Sequence, residues 1–117
     1  MSPDMSPVPR VGEDSVIVLP AEIDVTNAEE VGAELTRALD ASAVMLVADM
    51  TGTVFCDSSG IQVLLRAHRR AVAAGTELRL ATGSPAVRRV LELTGIDRVI
   101  DMYPDLSAAM TRAPETG

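Results

Sequence analysis

Residues 49–65 read Asp-Met-Thr-Gly-Thr-Val-Phe-Cys-Asp-Ser-Ser-Gly-Ile-Gln-Val-Leu-Leu. Just upstream, Val44 to Ala48 (VMLVA) is a continuous apolar run bounded by Asp49. Downstream, Ile61, Leu64, Leu65, His68 and Val72 recur at helical spacing until Gly75. An apolar run without alternation suits a strand buried on both faces. Spacing of three to four residues closed by glycine suits an amphipathic helix with a C-terminal cap. The stretch therefore reads as a strand, a loop from Met50 to Asp57, and a helix from about Ser59 to Ala74. That is the repeating unit of a parallel α/β sheet.

The same unit recurs on either side. Ser15 to Leu19 (SVIVL) is a β-branched run and reads as a buried strand. Arg10 to Asp14 suits a short edge strand and turn around Gly12, and Pro20 to Asp24 a turn. Thr26 or Asn27 can cap a helix running to about Leu39, with Glu29 and Glu30 in its first turn, where the helix dipole favours acids. Ala28, Val31, Leu35 and Ala38 form its apolar stripe. Further on, Glu77 to Ala81 reads as a strand, and Ser84-Pro85 as a helix start with serine as cap and proline first inside. Val87, Val90, Leu91 and Thr94 make the inner face of that helix, and Gly95 stops it. Asp97 to Ile100 suits a short edge strand, and Asp105 to Arg112 a last short helix. The order predicts one α/β domain over residues 10–112, with a four- to five-stranded, mostly parallel (mixed) sheet and about four helices. Residues 1–9, rich in proline and serine, read as a flexible N-terminal arm, and residues 113–117 as a flexible tail.

Composition narrows the function. The chain has 117 residues, 47% hydrophobic, which suits one domain with one core. Aromatics are only 2%, so that core rests on Val, Leu, Ile, Ala and Met. A net charge of −7, with no lysine, argues against a nucleic-acid binder, which needs basic patches for phosphate. The single cysteine, Cys56, permits no internal disulfide and reads as a small, partly buried residue. No apolar run reaches the ~18 residues of a membrane span, and the first nine residues do not resemble a secretory signal. A cytoplasmic protein is expected, with no membrane or nucleic-acid partner.

In open α/β sheets, functional sites gather in the loops at the carboxyl ends of strands. Two such loops are distinctive: Glu22 to Thr26, and Phe55 to Gly60. In the second, Ser59-Gly60-Ile61-Gln62 fits a capping box, with Ser59 bonding the amide of Gln62 and Gln62 reaching back. Ser59 is then used structurally, and Ser58 lies one residue outside the helix with a free hydroxyl. A phosphate there would meet the positive end of the dipole and unpaired amide donors. It would add roughly −1.5 to −2 charges at neutral pH. The fold could accept that charge, but a protein docked over the loop, with Asp57 alongside, could not.

With these residues in view, the stretch from Asp49 to Leu65 resembles the phosphorylation-site signature of bacterial anti-sigma factor antagonists with the STAS fold. That signature has a strand ending in Asp, then a loop, then Asp-Ser-Ser/Thr-Gly opening a leucine-rich helix. AEIDVTNAEEV, from Ala21, resembles the family's Gly-Glu-Leu/Ile-Asp-x-x-x-Ala segment, with Ala21 where the family usually has glycine. SPAVRRVLELTGIDRVI, from Ser84, resembles its third helix and final strand. The likeness runs from about Ser15 to Ile100.

The resemblance implies a STAS-like domain, no cofactor and no catalytic residue. It implies a partner that is an anti-sigma factor with serine kinase activity and an ATP-binding fold. The unphosphorylated chain would bind it and release a sigma factor; phosphorylation of Ser58 would end the contact, and a phosphatase would reset it. It assigns Ser58 as acceptor, Asp24 as a partner contact, and Asp57, Ser59 and Gly60 as shapers of the binding loop. The other reading is a STAS module that binds a small ligand, a nucleotide or lipid, or serves as a subunit of a larger complex.

Plainer readings stand beside these. Asp24 equally suits a turn or cap. His68 lies ten positions after Ser58, ~15 Å along a helix, too far for a serine–histidine pair. Arg66, Arg69, Arg70, Arg88 and Arg89 suit solvated helix faces as well as a partner patch. No Gly-x-Ser-x-Gly elbow occurs, and a lysine-bearing phosphate loop is ruled out. One His and one Cys make no zinc-type ligand cluster, so neither an enzyme nor a metal site is expected. A small acidic domain of this kind is expected to be a monomer.

Overall fold

The computed structural model describes residues 15–41 and 44–111. The strand suggested at Arg10 to Asp14, the arm and residues 113–117 lie outside them. In chain order, β1 (Ser15–Val18) and β2 (Glu22–Ile23) lead to α1 (Ala28–Ala41). β3 (Met45–Met50) and β4 (Phe55–Cys56) lead to α2 (Ser58–Ala74). β5 (Glu77–Thr82), α3 (Pro85–Leu93), β6 (Asp101–Tyr103) and α4 (Leu106–Met110) complete the described chain. Four strands form a sheet in the order β1-β3-β5-β6, and β2 and β4 form a separate pair. Every described pairing is parallel.

Alternate residues of β3 explain its unbroken apolar run. Leu46, Ala48 and Met50 join the large core beneath α1, α2 and α3, with Ile17, Leu35, Leu64, Leu80 and Leu91. Met45 and Val47 face the other way, into a small cluster with Ala81 and Ala109 of α4. Both faces of the strand are covered, so neither needs polar residues. Arg79 is buried on the α4 side. Its Nη1 donates to the carbonyls of Ala109 (2.8 Å) and Thr111 (3.0 Å), and its Nε pairs with Glu77 at 2.9 Å. It thereby satisfies carbonyls that the end of a helix leaves open.

The start of α3 and the end of α2 are capped where the sequence puts them. Ser84 Oγ accepts from the Val87 amide, with Pro85 first in the helix. Gly75 ends α2 at φ 75°, in the left-handed region that glycine occupies at least cost. Asp105 caps α4 by accepting from the Ala108 amide at 2.7 Å.

Three expectations need correction. Pro20 to Asp24 and Met50 to Asp57 are not only turn and loop, since each holds a two-residue strand. Asp97 to Ile100 is not a strand. Gly95, at φ 83°, turns the chain into a 3₁₀ turn over Ile96–Arg98. Ile96 and Ile100 are both buried, a helical spacing of four, and the edge strand forms only at Asp101–Tyr103. Neither Thr26 nor Asn27 caps α1 with its side chain. Asn27 turns back, accepting from the Asp24 amide (3.0 Å) and donating to the Glu22 carbonyl (2.8 Å).

Candidate functional site

The small β2–β4 pair brings the two distinctive loops side by side. Glu22 pairs with Phe55 and Ile23 with Cys56. The Asp57 amide donates to the Ile23 carbonyl (3.1 Å), and the Val54 amide to the Ala21 carbonyl (2.8 Å). Thr53 Oγ1 adds a bond to the Pro20 carbonyl at 2.8 Å. Asp24 and Asp57 therefore leave adjacent, paired strands at one end of the molecule. Among the described residues positive φ occurs only at Gly75 and Gly95. Ala21, where the resembled family usually has glycine, is thus held without backbone strain.

Asp57, not Ser59, caps α2. Its backbone is extended, and its Oδ1 accepts from the amides of Ser59 (2.8 Å) and Gly60 (3.3 Å). The expected capping box does not form, because the helix starts two residues earlier than its reading required, with Asp57 rather than Ser59 at the cap. A carboxylate here also neutralises the positive end of the dipole, which a serine hydroxyl cannot do. Ser58 becomes the first helical residue and is exposed; Ser59 is half-buried. The amide donors once expected to be free for a phosphate are in part already taken by Asp57.

The helix start is also fixed by packing. Gly60 is buried, and a Cβ added there would lie 2.6 Å from Cys56 Sγ and 2.8 Å from Ile23 Cγ2. Glycine is required by this approach to the β2–β4 pair, not by an unusual φ. Cys56 is buried, and burial, with the Asp57 charge beside it, pushes its thiol up to about 11. The thiolate, the reactive form, is suppressed at neutral pH.

Asp24 is organised locally. Its Oδ1 accepts from the Thr26 hydroxyl and from the Thr26 amide at 2.9 Å. Those bonds from Thr26 hold its carboxyl below the usual carboxylate range. It is a turn-forming aspartate that stays ionised at the same end as Ser58.

Sequence reasoning missed the apolar part of this end. Val25, Val54 and Phe55 are 75%, 60% and 48% exposed on the same two loops. Phe55 is the only phenylalanine in the chain. Alternation with buried Cys56 turns it outward, a signal that reading residues 50–57 as a loop hides. Among the described residues no group of three or more His, Cys, Asp or Glu is placed to hold a metal ion. No described helix is long and apolar enough to cross a membrane.

These features, a parallel sheet with paired loops and an Asp-Ser-Ser-Gly helix start, define a class. The STAS domain model matches residues 4–109, and the chain belongs to the STAS domain family. A candidate anti-anti-sigma factor of Mycobacterium tuberculosis is 32% identical over 65 residues, 56% of this chain and 44% of that protein. The matched stretch thus spans less than half of that relative's length. The crystal structure of an anti-sigma factor antagonist from Mycobacterium paratuberculosis superimposes with a TM-score of 0.76 at 26% identity, covering 93% of this chain and 95% of that one. The anti-sigma factor antagonist SpoIIAA in its unphosphorylated form superimposes with a TM-score of 0.65 at 25% identity, covering 83% and 85%. The phosphorylated form of Bacillus SpoIIAA gives 0.56 at the same identity, covering 83% and 88%.

Proposed function

We propose that this chain is an anti-sigma factor antagonist whose partner contact is broken by phosphorylation of Ser58. The observation that carries this reading is the exposed Ser58 hydroxyl at the first position of α2, anchored from below by Asp57 and Gly60. The unphosphorylated chain binds an anti-sigma factor that is also a serine kinase, and so releases a sigma factor in the cytoplasm. Val25, Val54 and Phe55 offer apolar surface to that partner, and Asp24, Asp57, Ser59 and Gly60 shape the polar part of the contact.

In the phosphoryl transfer, Ser58 Oγ bonds to the γ-phosphorus of ATP and the bond to ADP breaks. The hydroxyl proton passes to a base on the kinase, and the kinase supplies the metal. The chain is the acceptor and carries no catalytic group of its own. A phosphatase later hydrolyses the ester with water. The added phosphate stands beside the Asp57 carboxylate, and like charges repel. Burying both against a partner requires stripping their water, which is costly unless each is paired. In the free chain Ser58 is exposed, so the phosphate stays hydrated and the fold is unchanged. The relative SpoIIAA, with structures in phosphorylated and unphosphorylated forms, supports this reading.

The test is capture of an anti-sigma factor kinase from the host by Ser58→Ala and Ser58→Glu, each shown folded by circular dichroism. Ser58→Ala is expected to retain the kinase and Ser58→Glu to lose it. Equal capture by a folded Ser58→Glu would contradict the proposal.

A further inference from the structure

Helix α2 carries a charge pattern that its own structure does not use. Ser58, Gln62, Arg66, Arg69 and Ala73 follow one another at spacings of four, four, three and four, and all five are exposed. They form one stripe along the solvent face. The chain has 17 acidic residues against 10 arginines, yet α2 contains no Asp or Glu.

Of the other described arginines, Arg89 and Arg98 make no ion pair, but the rest meet acids nearby. Arg37 pairs with Glu34 at 2.9 Å and Arg88 with Glu92 at 3.2 Å. Arg70 forms a fork onto Asp40 of α1, with both bonds at 3.1 Å. Among the described residues Arg66 and Arg69 make no ion pair. The helix dipole does not account for them, since its effect fades beyond the last turn. That turn, Ala71 to Ala74, holds no base.

We infer that Arg66 and Arg69 are a second docking element for the protein that covers Ser58, and that they receive an acidic segment of it. This rests on the reading of Ser58 given above and names the partner's chemistry. The stripe is continuous with Ser58, so one protein lying along α2 covers both. Gln62, which carries no charge, stands between them, about one helical turn from Ser58 and one from Arg66. Two unpaired guanidinium groups in a molecule of net charge −7 form a local field of opposite sign. Such a field steers an acidic surface into register and suppresses partners lacking it. The phosphate on Ser58 and the arginines then act on different parts of the contact: one breaks it, the other orients it.

The experiment uses the full chain in host cells, with p-benzoylphenylalanine placed singly at Val25, Arg69 or, as a control, Arg89 on α3. Irradiation is followed by mass spectrometry of the cross-linked peptides. Adducts from Val25 and Arg69 to the same protein are expected, with an Asp/Glu-rich peptide at Arg69 and no such adduct at Arg89. Once that protein is identified, R66E/R69E is expected to slow its association about tenfold at low salt, with a smaller effect as salt rises. R66K/R69K is expected to associate close to the unaltered rate. A Val25 adduct without one at Arg69 would overturn the inference and leave the Ser58 reading standing. So would an Arg69 adduct to a non-acidic segment, to nucleic acid or to a second copy of this chain. An unchanged association rate in R66E/R69E would overturn it as well. Absence of adducts at both Val25 and Arg69 would overturn both readings.

Discussion

Asp57 joins the fold to the site at a single residue. Its carboxylate closes the start of α2 through the amides of Ser59 and Gly60, and its charge stands beside the Ser58 hydroxyl. The two roles are separable by substitution. Asp57→Ala removes the cap and is expected to cost about 1 kcal/mol of stability, as cap losses do. Asp57→Asn keeps a good cap and removes the charge, so its stability is expected to change by only a few tenths of that. Urea denaturation of the two variants checks this; equal losses would mean that charge, not cap geometry, holds the helix start. Asp57 was legible in the sequence as a loop acid and Ser58 as a candidate acceptor. The assignment of the cap was not. Asp57 and Ser59 are both good cap residues, and their order is decided by where Gly60 must fit, a tertiary fact.

At the scale of elements, the long periodic segments could be read directly and the short ones could not. α1, α2 and α3 show most of their inner faces as spaced apolar residues, though Val72 and Thr94, expected to face inward, are exposed, and β3 shows its double burial as an unbroken run. β2 and β4 have two residues each, too few for any period to register. They are strands only because each finds the other. The 3₁₀ turn at Ile96–Arg98 was misread because β-branched Val99 and Ile100 suggest a strand when viewed without their neighbours. The β2–β4 pair nevertheless sets the site, because α2 packs on it through Gly60. Gly60→Ala is expected to destabilise the domain by about 1–3 kcal/mol, the range for forcing extra carbon into a filled space. Cys56→Ala in the same chain removes the sulfur that the new Cβ meets at 2.6 Å. Part of the loss is expected to return in the double variant. A Gly60→Ala protein as stable as the original in urea would show that α2 is free to move off the pair.

For the molecule as a whole, the division between core and candidate site gives the proposed switch its character. The large core lies beneath α1, α2 and α3, while Ser58, Val25, Val54 and Phe55 stand outside it. A charge added at Ser58 therefore changes what the end of the domain can bind without reaching the packing that holds the domain together. The most direct measurement is phosphopeptide mass spectrometry of the protein recovered from its host during growth and under stress. Phosphate on Ser58, absent from half-buried Ser59 and changing in occupancy with conditions, is the expected result. Well-covered peptides carrying no phosphate on Ser58 under any condition would contradict the switch.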